Sequence, residues 1–296
     1  MPIVLRTVKQ VRQWRLALCQ AQKLVGFVPT MGALHHGHLS LVHQSQADND
    51  ATVVLIFVNP SQFGPTEDLD AYPRTLDDDL AQLEAANVEA VFVPKVSEMY
   101  PSGIVLDVNE QRGAFVEVKG CSHQLEGVTR PQFFRGVATV VCKLLNVVQP
   151  TRVYFGQKDA QQCVVVRNMV KDLLIDTEVK VLPTQREPLG LALSLRNAYL
   201  SDTTKDELKA IYQALSQGKQ LWVDDATVKG TDIVDLVQKQ LVDLGLQVEY
   251  VACSHPETLD DLTDKVVPGA IVSTAVHVPR AQGTGTARLI DNVILE

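Results

Sequence analysis

The chain has 296 residues, 46% of them hydrophobic, and a formal net charge of −8. That size and apolar content bury one large core or two modest ones, which excludes a disordered or fibrous protein. The acidic balance, with no dense Lys/Arg run, argues against a nucleic-acid surface, because neutralising several phosphates takes clustered cations.

Met1-Pro2-Ile3-Val4 opens the chain without the apolar stretch, basic flank and small-residue cleavage site of a secretory signal or membrane span, so a cytoplasmic protein is expected. Thr7 with Gln10 three residues later predicts a capping box, followed by a helix with Val8, Val11, Trp14 and Leu18 at helical spacing. Strand-like apolar runs follow at Val25–Val28, Val53–Val58, Ala90–Val93, Arg152–Phe155 and Val179–Leu182. Between them the periodicity predicts helices from His36 toward Gln46, from Thr75 to Ala86, from Gly136 to Val148 and from Ala160 to Leu173. Such alternation reads as a parallel sheet covered by helices. The stretches 59–72 and 94–132 have weaker periodicity and suit pocket loops. After Pro183 the pattern changes to helices near Thr203–Ser216 and Asp232–Leu244, then strands at Gln247–Ala252, Ala270–Val278 and Ala287–Ile294. A domain boundary is therefore expected near 184. Gly283-Thr284-Gly285-Thr286 reads as a turn between strands, with a phosphate loop as the alternative. Cys19, Cys121, Cys142, Cys163 and Cys253 are scattered and form no C-x-x-C pair, so neither a disulfide framework nor a zinc site is expected.

His35, Gly37 and His38 fall at a strand-to-helix junction, where a phosphate meets free helix N–H groups. On its own H-x-G-H also fits a surface pair or half of a metal site. Its place directly after a strand, where open parallel sheets bind ligands, favours the phosphate. Gly156-Gln157-Lys158-Asp159 offers a cation for phosphates and a carboxylate for a ribose or magnesium, or it is a charged helix cap. In Leu193-Ser194-Leu195-Arg196-Asn197 a hydroxyl and a guanidinium suit departing pyrophosphate.

In order along the chain stand P-T-M-G-A-L-H-x-G-H, I-F-V-N-P-x-Q-F, Y-P-R-T, L-E-G-x-x-R-P, G-x-K-D-x-Q-Q, L-A-L-S-x-R-N and R-L-I-D-N. This series closely resembles the pantothenate synthetase family, also called pantoate–beta-alanine ligases, from Gly26 to about Leu200 and again at Arg288–Asn292. The resemblance implies an α/β fold: a Rossmann-like parallel sheet over 1–184 that binds nucleotide and pantoate, and a smaller α+β domain over 185–296 that closes over the ATP site. It implies ATP-dependent, magnesium-requiring condensation of (R)-pantoate with beta-alanine through a pantoyl-adenylate, by a homodimer with no nucleic-acid or membrane partner. Carried over by position, Met31, Gly32, Ala33, Leu34, His35, His36, Gly37 and His38 contact ATP, with His38 as proton donor. Gly156, Gln157, Lys158, Asp159, Gln185 (through its backbone), Leu193, Ser194, Leu195 and Arg196 complete the nucleotide site. His35, His38, Lys158, Ser194 and Arg196 carry the catalysis. Gln62 and Gln162 hold pantoate, Asn59 shapes its pocket, and Tyr72, Glu126 and Arg130 line or order the entrance.

Four positions depart from the family pattern: Gln157 for Glu, Phe133 for His, Leu189 for Asp and Leu195 for Ser. Leu195 removes a hydroxyl that could bind phosphate. The alternatives to the ligase are a catalytically impaired nucleotide-binding relative and another H-x-G-H nucleotidyltransferase. The neutral amides Gln62 and Gln162 argue against a phosphorylated acceptor, which would favour added cations.

Overall fold

The computed structural model describes residues 1–64, 69–70, 72–188, 190–281 and 285–296. Two units are distinguished, Met1–Gly156 with Val165–Leu182, and Gln157–Val164 with Pro183–Glu296. The chain runs β1 (Ile3–Leu5), α1 (Val8–Gln20), β2 (Val25–Thr30), α2 (His36–Asp48), β3 (Ala51–Ile56), α3 (Leu76–Ala85), β4 (Ala90–Phe92), α4 (Val96–Met99), α5 (Glu126–Thr129), α6 (Phe133–Val148), β5 (Arg152–Gly156), α7 (Ala160–Asp172) and β6 (Glu178–Leu182). It continues through α8 (Asp202–Asp224), α9 (Gly230–Asp243), β7 (Gln247–Ser254), β8 (Ile271–Pro279) and β9 (Thr286–Ile294).

In the first unit six strands form a parallel sheet in the order β1-β4-β3-β2-β5-β6. Every residue of β3 is buried, as expected of a strand covered on both faces. Val28, Val54, Val91 and Tyr154 from the sheet pack with Leu41 and Val42 of α2 and Leu83 of α3. From β2 the chain proceeds outward through β3 and β4, then returns to β5 on the other side of β2, so strand order reverses between β2 and β5. Their ladder comprises Gly26↔Arg152 and Phe27↔Val153, although β2 continues to Thr30 and β5 to Gly156. The carboxyl ends of the two strands thus lie beyond their paired segment, at the place where an open α/β sheet takes a ligand. The fold is Rossmann-like.

Seating of α2 on this sheet depends on Gly26, where a Cβ would lie 2.0 Å from Ser45 Oγ and 2.6 Å from Asn49 Nδ2. Ser45 is itself fixed by a 2.8 Å hydrogen bond with the Thr52 hydroxyl. In the second unit β7, β8 and β9 form an antiparallel sheet that shares an apolar core with α8 and α9, including Leu208, Leu215, Ile233, Val237, Val272 and Val276.

The capping box at α1 is present, with the Gln10 N–H donating to Thr7 Oγ1 at 3.2 Å and the Thr7 N–H donating to Gln10 Oε1 at 3.1 Å. Several boundaries differ from the sequence expectation, three of them as follows. β3 begins two residues earlier, at Ala51, α6 begins at Phe133 instead of Gly136, and α8 continues past Ser216 to Asp224. Leu189, Gly283 and Thr284 lie outside the described residues.

Candidate active site

The loop after β2 is built by four polar contacts. Thr30 Oγ1 donates to the Leu55 carbonyl at 2.6 Å and accepts from the Gly32 N–H at 3.2 Å. Gly32 and Ala33 then take φ of +87° and +49°. The left-handed region suits glycine but costs roughly 1–2 kcal/mol for a residue with a Cβ. Asp79, buried in the first turn of α3, offsets that cost: its carboxylate accepts from the Ala33 N–H at 2.9 Å and the Leu34 N–H at 2.8 Å. A Cβ on Gly32 would come within 3.0 Å of Asp79 Oδ2. The side chains of Ala33 and Leu34 are buried and their N–H groups serve Asp79, so these two residues shape the loop.

The loop delivers two histidines to the start of α2. His35 is the N-cap, and its Nδ1 accepts from the Gly37 N–H at 3.1 Å. His38 Nδ1 accepts from the His35 N–H at 3.3 Å, and the two ring centroids lie 4.0 Å apart. A ring nitrogen that accepts from an amide carries no proton, so in both neutral imidazoles the proton resides on Nε2. The helix start therefore fixes the tautomer of both rings, with the proton on Nε2.

A second cluster of the same unit surrounds Gln62. The turn Pro60–Gln62 abuts α6 so closely that a Cβ on Gly136 would lie 2.0 Å from the Ser61 carbonyl oxygen. Asn59, buried, donates from Nδ2 to Gln62 Oε1 at 2.9 Å and to the Gly136 carbonyl at 3.3 Å. The Arg130 guanidinium donates to the Gln62 carbonyl at 3.0 Å and stacks 4.0 Å from the Phe133 ring centroid. Phe133 thus gives Arg130 an aromatic face, and Arg130 holds the backbone of Gln62.

In the second unit a 3-10 turn, Gln157–Asp159, carries Lys158, whose ammonium lies 3.8 Å from the Asp159 carboxylate. Lys158, Ser194, Arg196, Asn197 and Asp291 line one cavity. Asp291 is neutralised by a two-pronged pair with Arg186 at 2.6 and 2.9 Å, and Arg186 stacks on Tyr212 at 3.7 Å. Lys158 and Arg196 consequently give the cavity wall a cationic character suited to phosphate oxygens. Ser194 caps the turn Leu195–Tyr199, its Oγ accepting from the Arg196 N–H at 3.2 Å. Asn197 ties that turn back, donating to the Ala192 carbonyl at 3.0 Å.

Comparison with known proteins identifies the family. The model of the pantoate-beta-alanine ligase family matches residues 3–294. The pantoate–beta-alanine ligase of Saccharomyces cerevisiae is 44% identical over 307 aligned positions, covering 99% of each chain. The chain belongs to the pantoate-beta-alanine ligase family. Among solved structures, the pantothenate synthetase of Thermus thermophilus matches with a TM-score of 0.85 at 41% identity, over 99% of both chains. The ligase of Francisella tularensis, solved with beta-gamma ATP and beta-alanine, matches with a TM-score of 0.76 at 33% identity, over 100% of this chain and 98% of that one.

Within each unit the structure groups residues that the family resemblance singles out. His35 touches His38, Asn59 touches Gln62, and Lys158, Ser194 and Arg196 share a cavity wall. Gln157, Asp159, Gln185, Leu193 and Leu195 are not part of that wall; Gln185 instead accepts from the Leu193 N–H at 2.9 Å. Gln162 is half-buried near the start of α7. Sequence reasoning missed Asp79 and Tyr100, and gave Asn292 no role. Asp79 is the third residue of Asp77-Asp78-Asp79, which reads simply as acidic charge at a helix start. Tyr100 carries no local signal; its part emerges from contacts 39 and 41 residues away.

Proposed function

We propose that this member of the family condenses (R)-pantoate with beta-alanine using ATP. A pantoate carboxylate oxygen attacks the α-phosphorus, pyrophosphate leaves, and the amine of beta-alanine attacks the acyl carbon of the pantoyl-adenylate and displaces AMP. The observation that carries this reading is the pair of imidazoles at the start of α2, held by backbone N–H groups in the Nε2–H form at the switch point of the sheet.

In the first step two anions must approach, so catalysis rests on positioning and on donors matched to charge that grows on phosphate oxygens. His38 and His35 donate from Nε2, His38 serving the transition state. Lys158 and Arg196 take the charge of the departing pyrophosphate, and Ser194 adds a hydroxyl donor. Met31, Gly32, His36, Gly37 and Gly156 complete the nucleotide contacts. Gln62 and Gln162 hold the hydroxyl and carboxylate of pantoate, and Asn59 supports Gln62. Neutral amides bind these groups without adding a charge that would compete with the attack.

ATP enters as its magnesium complex. Magnesium retains water and prefers phosphate and carboxylate oxygens, and Asp159, exposed beside Lys158, is the carboxylate that fits it. The ion offsets phosphate charge, while orientation comes from the protein. A cytosolic homodimer is carried over from the family resemblance, and sedimentation velocity tests the dimer. No helix among the described residues is long and apolar enough to cross a membrane.

The deciding experiment measures pyrophosphate release with MgATP in the presence and absence of (R)-pantoate, then AMP and pantothenate after adding beta-alanine. Pantoate-dependent pyrophosphate and beta-alanine-dependent pantothenate are expected. ATP binding without either product identifies a catalytically impaired relative.

A further inference from the structure

Tyr100 stands at the head of a polarised chain of hydrogen bonds that ends on Gln62. Its hydroxyl donates to Asn59 Oδ1 at 2.6 Å, and Ser61 Oγ lies 2.7 Å from the same phenol oxygen. A phenol has one proton, so with that proton given to Asn59 the Ser61 hydroxyl is the donor to Tyr100. Asn59 Oδ1 is thereby fixed as an acceptor, and Asn59 Nδ2 is turned to donate to Gln62 Oε1 at 2.9 Å. Tyr100 makes the shortest contact to Asn59 Oδ1; the Ser61 hydroxyl lies 3.2 Å from the same oxygen, and Asn59 Nδ2 also donates to the Gly136 carbonyl at 3.3 Å. Gln62 Oε1 receives from Asn59, which leaves the Gln62 NH2 group as the end that meets a ligand.

The head of the chain is well anchored. Tyr100 is buried, and the Lys143 ammonium sits 3.8 Å from its ring centroid while donating to the Met99 carbonyl at 2.9 Å. Burial also pushes the Tyr100 phenol up to about 12, so it keeps its proton through the neutral range. The backbone of Gln62 is held separately by Arg130 at 3.0 Å. Position and polarity of Gln62 are therefore set by different residues.

We propose that Tyr100 is a positioning residue that fixes which end of the Gln62 amide faces substrate, presenting N–H donors to the carboxylate and hydroxyl oxygens of an acid substrate. The reverse orientation would set Oε1 against a carboxylate, oxygen against oxygen. This rests on the reading of Gln62 as a pantoate-binding residue.

The test is a double-mutant cycle on the full-length protein with Tyr100→Phe, which keeps the ring, Gln62→Ala, and the pair, read as KM for pantoate and for ATP. Tyr100→Phe is expected to raise the pantoate KM about tenfold with the ATP KM within about twofold, and to have almost no further effect once Gln62 is alanine. A Tyr100→Phe effect that persists in the Gln62→Ala background, or falls equally on both substrates, marks a merely structural role and overturns the proposal. If Gln62→Ala alone leaves the pantoate KM unchanged, the reading of Gln62 fails and the proposal with it; if Gln62→Ala raises it and Tyr100→Phe does not, the relay alone fails. Should Tyr100→Phe not fold, Asn59→Asp replaces the donor facing Gln62 by an acceptor and turns the Gln62 amide over. The same pantoate-specific loss, again abolished by Gln62→Ala, is then expected, and its absence overturns the relay.

Discussion

Asn292 holds the backbone of Lys158, donating from Nδ2 to the Lys158 carbonyl oxygen at 2.9 Å. The same amide donates to the Gln157 carbonyl at 3.0 Å, and its Oδ1 accepts from Gln157 Nε2 at 3.2 Å. Asn292 is buried, so its loss takes a sheltered donor away from two carbonyls. Each such bond is worth about 1 kcal/mol, and about 1.4 kcal/mol changes a rate tenfold. Asn292→Ala is expected to lower kcat/KM for ATP by roughly tenfold and to reduce the melting temperature. Asn292→Asp, which sets an acceptor against both carbonyls, is expected to be worse. Pyrophosphate-release kinetics and thermal unfolding check both, and unchanged ATP kinetics in both variants would show that this clamp does not tune Lys158.

Asp79 is the corresponding support in the other unit. Removing its carboxylate strands the Ala33 and Leu34 N–H groups while Ala33 must still hold a positive φ. An unsatisfied buried donor costs about 1–3 kcal/mol, so Asp79→Ala should destabilise the fold by a few kcal/mol in urea unfolding. Asp79→Asn keeps one acceptor but turns an NH2 toward the second N–H, and should lie between wild type and alanine. A stability loss under about 0.5 kcal/mol for Asp79→Ala would contradict the bracing role.

What could be read from the sequence was local or periodic. The capping box at Thr7 and Gln10, the apolar run of β3 from Val53 and the strand-loop-helix setting of His35 and His38 each announce themselves within a few residues. β1 does not, because three residues are too few for any periodicity. The misplaced helix ends share another cause. Glycine reads as a helix boundary, yet Gly136 lies inside α6 as a contact with Ser61, and Gly218 lies inside α8, where a Cβ would meet Val237 Cγ2 of α9 at 2.8 Å. Asp79, Tyr100 and Asn292 act through partners 39 to 135 residues away, a relation that one sequence does not display.

Gly136→Ala follows directly from that packing. A methyl group 2.0 Å from the Ser61 carbonyl oxygen forces the turn Pro60–Gln62 away from α6. Such overpacking typically costs about 1–3 kcal/mol, and here it also shifts Gln62. The expected result is a lower melting temperature together with a raised pantoate KM. A stability loss without any change in pantoate KM would separate the packing contact from substrate binding.

His38→Ala removes one of the two fixed Nε2–H donors while leaving Gly37 capped by His35. Loss of a donor that acts on transition-state charge typically costs about 10²–10³ in rate. Single-turnover adenylate formation should fall by that order with pantoate binding little affected. A normal single-turnover rate would remove His38 from the chemistry.

Leu195 offers a change expected to improve the enzyme. It is half-buried at the start of the turn that Ser194 caps, where Ser194 Oγ already accepts from the Arg196 N–H. A second hydroxyl at 195 would supply a further donor to an anionic phosphate, and a hydrogen bond to a charged group is worth about 1.5–3 kcal/mol. Leucine forfeits that bond but buries apolar surface, and for a half-exposed side chain the burial is the smaller contribution, about 25 cal/mol per Å² of area removed from water. Leu195→Ser is therefore expected to lower the ATP KM by about tenfold at little cost in melting temperature, measured by pyrophosphate release at saturating pantoate. An unchanged or raised ATP KM with no gain in rate would mean that position 195 does not reach the phosphates, and that Ser194 supplies the hydroxyl contact alone.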